Sequence, residues 1–162
     1  SVAEGTVDAV QALKALTDLR GRPAPNPWFM ALAYALSAGF FSIMFSGGIR
    51  EFLFSFAAGF ALQTVMPHLR RWNAPTPLTA LAGGMLSAGL SLLILAVFGG
   101  GNQEAVISGV IMPLLPGLAM TNAVRDTMRG DLVAGMARST EALLSAVMLA
   151  AGVAIVLMGV SA

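Results

Sequence analysis

Apolar positions along this chain fall mostly into long unbroken runs, not into the single stripe of a soluble helix. Residues 27–46 carry no charge and open on Pro27 and Trp28, a good helix start and an aromatic suited to a membrane interface. Gly47 and Gly48 end that run. Further runs cover residues 52–66, 77–98, 105–120 and 139–160. A full crossing needs about 20 residues. The first, third and fifth runs reach that length, and the second reaches it with a few flanking residues. The fourth is short and carries Pro113 and Pro116 followed by Gly117. Proline removes a backbone donor and clashes with the preceding turn. The spacing predicts a helix broken within residues 113–117 that resumes through Met128.

Upstream, residues 5–20 read as an amphipathic helix with Val7, Val10, Leu13 and Leu16 on one side. Gly21, Pro23, Pro25 and Pro27 end it and form a stiff linker. The expected organisation is a cytoplasmic helix and linker over 1–25 and a transmembrane domain over 26–162. The first residues lack the apolar core of a signal peptide and start on Ser1, so a processed form or a piece of a longer chain is expected.

Composition supports lipid as the solvent. Apolar residues make up 57% of the chain and charged residues 10%, too few to coat a soluble domain of this size. The predicted fold is all-α: a polytopic transmembrane bundle of about five helices with a Pro-broken fourth. A net charge of +1 gives no footprint for nucleic acid. There is no Cys, and His68 stands without carboxylates at ligand spacing, so no metal site or cofactor is expected. No Ser with His, or paired Asp, lies within the apolar runs, which argues against an intramembrane enzyme.

Polar chemistry collects between Pro113 and Leu144. On a helix starting near Gly117, Asn122, Arg125, Asp126 and Arg129 follow an i, i+3, i+4, i+7 pattern. Asp131, after Gly130, suits the cap of a further helix on which Arg138, Glu141 and Ser145 share a face. The bland reading is a solvated hairpin with Arg125 paired to Asp126 or Asp131. It fits Arg138 and Glu141 less well, because both run into an apolar stretch where ionisable groups face a bundle interior or a water path. Glu104 and His68 read as surface residues. The expected substrate site combines Pro113, Pro116, Gly117, Asn122, Arg125 and Asp126, with Asp126 orienting Arg125. Arg138 and Glu141 are the expected coupling or gating pair.

The run PLLPGLAMTNAVRDTMRGDLVAGMARSTEALL (113–144) resembles the signature of the threonine/serine exporter (ThrE) family, in its YjjP-like half. The likeness extends through FSGG (45–48) and the helix before Pro23. The resemblance implies a multi-pass protein of the bacterial inner membrane that exports small carboxylate-bearing metabolites: threonine and serine in one branch, a dicarboxylate such as succinate in the other. It also implies a second, YjjB-like membrane subunit. Small residues at helical spacing (Ala31, Ala35 and Gly39; Ser55 and Gly59; Gly84 and Ala88) make self-association a further expectation. The alternative function is a non-transporting membrane scaffold that assembles a partner.

Eight of the nine basic residues, all but Arg50, fall on one side if five helices cross with the N-terminus inside. A four-crossing chain with a re-entrant fourth run is the alternative. Single cysteines at Ser1 and Ala162 should therefore label from opposite faces of the membrane. Labelling of both from one face would establish the re-entrant arrangement.

Overall fold

A computed structural model describes residues 26–70 and 75–161. The helix expected over 5–20 and its linker lie outside the described residues. Among them every regular element is a helix, joined by short turns, and no strand occurs. The helices are α1 (Pro27–Met44), α2 (Ile49–Arg70), α3 (Thr76–Val97), α4 (Gln103–Ile111), α5 (Gly117–Met128) and α6 (Leu132–Ser161), with a 3-10 turn at Met112–Leu114 after α4. Four of them are long and apolar enough to cross a membrane, and five spans result if the bent pair is one.

Local chemistry explains most of the boundaries. Asn26 caps α1, its Oδ1 accepting the Trp28 N–H at 3.1 Å, and Pro27 fills the first position, where a missing N–H costs nothing. Asn102 opens α4 in the same way by accepting from Ala105 N–H. Pro67, just past the second apolar run, stands inside α2, which continues to Arg70. Its place in the last turn forfeits only one ladder bond near the helix end. The last helix starts earlier than its apolar run: α6 begins at Leu132, with Asp131 Oδ1 accepting from Ala134 N–H at 3.2 Å. Before it, Gly130 adopts φ 86°, and the Asp131 N–H reaches back to Asp126 O. This Schellman turn needs a left-handed residue, which glycine supplies at no steric cost.

The short α4 is the most enclosed element. It lies against α1, α2 and α3, with Ala105, Val106, Ile107, Gly109 and Val110 buried. The core beside it joins Ala38, Ala58, Leu62, Met66 and Val110. Helix α6 packs on α3, and α5 packs chiefly on α6.

Small residues set how closely the helices approach. A Cβ on Gly59 would stand 2.9 Å from Ala38 Cβ, and one on Gly109 would stand 2.6 Å from Ala38 O. The closest seam is reciprocal. A Cβ on Gly84 of α3 would run into Leu149 O of α6, and one on Gly152 of α6 would run into Leu81 O of α3. In lipid there is no hydrophobic drive between helices, so backbone-close packing of this kind carries association.

Gly84→Ala should therefore cost about 1–3 kcal/mol, because the obstacle is backbone and cannot swing aside. Gly89→Ala, whose Cβ would meet nothing within 4 Å, should be neutral or stabilising by up to about 1 kcal/mol. Thermal unfolding of both variants in mild detergent checks the contrast; equal shifts would refute the seam.

Candidate functional site

The break between α4 and α5 begins with a missing donor. Pro113 has no N–H to give Gly109, so the helix tightens into the 3-10 turn, where Leu115 N–H reaches Met112 O at 3.2 Å. Leu115 then goes extended (ψ 140°). Pro116 (φ −78°, ψ 51°) follows, with Gly117 N–H folding back onto Leu115 O at 2.8 Å. The two helical pieces meet at 48°. Because Met120 N–H makes the first bond of α5, to Pro116 O, the N–H groups of Leu118 and Ala119 have no acceptor among the described residues. No side chain caps this end, and the space around Gly117 is open.

One side chain from another helix steadies the break. Tyr34 of α1 donates its hydroxyl to Val110 O at 2.8 Å, just before the turn. Such a bond satisfies a carbonyl where the helical ladder is disturbed, which bare hydrocarbon would penalise by several kcal/mol.

Beyond the break the polar residues of α5 part company. Asp126 turns toward α6, where its Oδ2 meets Arg138 Nη1 at 2.8 Å. That oxygen is closed off from solvent, and Arg138 is its cation. Ala123 is buried on the same side, and a Cβ on Gly135 of α6 would strike the Thr127 hydroxyl. Arg125 lies on the opposite side of α5. With Thr121, Val124, Met128 and Arg129 it lines a shallow recess of about 400 Å³. The expected pairing of Arg125 with Asp126 is thus replaced by one across the hairpin. Successive residues differ by about 100° around a helix, so these neighbours face different surroundings. Asn122 is exposed, one turn before Asp126. Arg138 does not pair with Glu141, which is exposed and makes no ion pair among the described residues. Ser145 is buried and donates to Glu141 O.

At the other end of the bundle stands a residue that sequence reasoning passed over. Glu51 accepts from Gly48 N–H at 2.8 Å through Oε2 and from Asn102 N–H at 3.1 Å through Oε1. It ties the loop after α1 to the loop before α4. An acidic residue in the first turn of α2 was the available signal; its reach to Asn102 was not. Glu104 is exposed, and so is His68. The latter lies in a recess of about 400 Å³ between the start of α1 and the end of α2, lined also by Trp28, Gln63 and Pro67. No cluster of metal-ligating side chains occurs among the described residues.

The ion pair offers a direct energetic test. Asp126 is about one-fifth exposed and Arg138 about half, so the pair lies between a surface bridge and a buried one. Arg138→Gln should destabilise by about 1–2 kcal/mol, more than Arg125→Gln, because it strands a carboxylate oxygen. In a double-mutant cycle with Asp126→Asn the two losses should fall short of additivity. Additive losses would show that the groups do not interact.

The comparisons with known proteins bear on the whole chain. Neither the curated proteins nor the solved structures give a match. The sequence model of the family described as "Putative threonine/serine exporter" (ThrE) matches residues 1–159. That is a family of transporters, and several helices here have the length and apolarity to cross a membrane. With nearly its whole length inside the match, the chain belongs to the threonine/serine exporter family.

Proposed function

We propose that this chain forms a transport unit of a secondary exporter in the bacterial inner membrane and moves small carboxylate-bearing metabolites outward. Threonine and serine, or a dicarboxylate such as succinate, are the substrates in view. The break between α4 and α5 is the observation that carries this reading. If α4 starts at the membrane edge, α4 and its turn reach about 18 Å into a hydrocarbon layer of about 30 Å. Backbone that leaves its ladder at such depth is tolerated only where it is buried in protein or lines a cavity. Two unanswered N–H groups at a helix start suit a carboxylate.

In this proposal the N–H groups of Leu118 and Ala119 hold the carboxylate, with Pro113, Pro116 and Gly117 shaping the turn and Asn122 contributing its amide. Arg138, about 10–12 Å along α5 from those N–H groups, is a station that the substrate carboxylate meets before reaching them. Its bond to Asp126 gives the empty site an internal carboxylate, which an entering substrate carboxylate displaces. Glu141, three residues along α6, is the candidate for carrying a proton against substrate movement. Self-association or a YjjB-like subunit supplies the remainder of the transport path.

Metabolite efflux from cells expressing the chain with and without a YjjB-like partner tests this reading. Arg138→Gln should abolish efflux of a carboxylate substrate, by at least about tenfold, with insertion intact. Glu141→Gln should abolish dependence on the proton gradient while exchange of labelled substrate persists. Wild-type efflux from both variants would leave the hairpin a structural element and favour a scaffold.

A further inference from the structure

Arg125 and Arg129 take no part in the hairpin's ion pair, yet they stand side by side. Both line the recess on the side of α5 turned away from α6, with Thr121, Val124 and Met128. No Asp or Glu lines it, and neither guanidinium has an ion pair among the described residues. The Thr121 hydroxyl is spent on Gly117 O at 2.9 Å. Around the two cations the surface is apolar and open: Leu118 and Met128 are each 83% exposed and Val124 58%. Water is a poor neighbour for that combination. A molecule with an anionic head and an apolar body is a good one.

Depth says which molecule. The charge-free stretch 142–160 of α6 is about 28 Å long, enough to fill the hydrocarbon layer. Arg138 lies four residues before it, about 6 Å outside the hydrocarbon edge. The contact of Arg138 with Asp126 fixes α5 at that level. Arg125, next to Asp126, therefore lies within the headgroup layer, which is about 5–7 Å thick on each side. Arg129 lies one turn further out, since the chain turns at Gly130. Arg125 stands at phosphate depth, and Arg129, one turn further out, carries a long side chain tilted back toward the start of α5 and so toward the same layer. With apolar side chains beside and below them, the pair matches a phospholipid whose phosphate accepts paired N–H groups from guanidinium.

We propose that this recess on α5 binds the phosphate of an anionic phospholipid, held by Arg125 and Arg129 with Val124 and Met128 against the glycerol and acyl carbons. The site is separate from the proposed substrate site, which lies at the break and on the α6 side of α5. Lipid bound here fastens the outer face of the hairpin to the membrane.

The test uses the full chain in mild detergent, titrated with phosphatidylglycerol and with phosphatidylcholine, and counts bound lipid by native mass spectrometry. Wild type should retain phosphatidylglycerol over phosphatidylcholine. That preference should fall roughly fivefold for Arg125→Gln or Arg129→Gln and on the order of 30-fold for the double variant. The double Arg→Lys variant, which keeps the charge but loses the paired donors, should fall between wild type and the double Gln variant, and unchanged helicity establishes that all variants are folded. Equal retention of phosphatidylglycerol by wild type and the double Gln variant overturns the proposal, as does equal binding of the two lipids. A third arm adds inorganic phosphate at millimolar concentration: failure to displace the lipid supports the lipid site, and full displacement overturns it in favour of a soluble anion.

Discussion

A peptide group surrounded by hydrocarbon must be paired within the protein, and this constraint governs where the chain can depart from a helix. It departs once inside its apolar runs, at residues 113–117, and the surroundings of that departure are correspondingly specific. The interrupted helix α4 is enclosed by α1, α2 and α3 instead of facing lipid. Tyr34 reaches across to satisfy Val110 O, and Gly117 N–H is absorbed by Leu115 O. What is left over is small and local: the N–H groups at the start of α5. Every helix start leaves such donors, and here no side chain caps them.

The enclosure of α4 depends in turn on side chains that are nearly absent. Ala38 sits where α1 meets both Gly59 of α2 and Gly109 of α4, and no larger residue fits that junction. The seam between Gly84 and Gly152 places the backbones of α3 and α6 in contact. The hairpin of α5 and α6 is consequently tied to the bundle in two ways, through the α3 seam and through the covalent break at Leu115 and Pro116. Within the hairpin, the ion pair of Asp126 and Arg138 ties α5 to α6.

Much of this was legible in the residues. The apolar runs located the spanning helices, because membrane helices need length and apolarity more than a pattern. Pro113, Pro116 and Gly117 located the break, and Gly130 with Asp131 located the turn, because their backbone chemistry is local. The partners of the charges were not legible. An i, i+3, i+4 pattern gathers residues onto a broad face, yet Arg125 and Asp126 lie about 100° apart, enough for one to meet α6 and the other to face outward. Tyr34 and Val110 are 76 residues apart, and Glu51 and Asn102 are 51 apart. Such contacts follow from which helices become neighbours, and no local spacing encodes that.

Partition of the three arginines gives the hairpin a consistent physical logic. Arg138 faces a carboxylate whose oxygen is shut off from water, while Arg125 and Arg129 line the recess on the other side of α5. An exporter must let its substrate go, so a site with permanently free cations is a poor design. An internal carboxylate corrects that. In the proposed mechanism, Asp126 occupies Arg138 when the site is empty, lowers the fraction of binding-competent molecules and weakens apparent affinity by the same factor, while restoring the paired state drives release. Placing the unpaired arginines on the far side of α5 keeps their field away from that pair. Under that proposal the cation that meets substrate is the one with a built-in competitor.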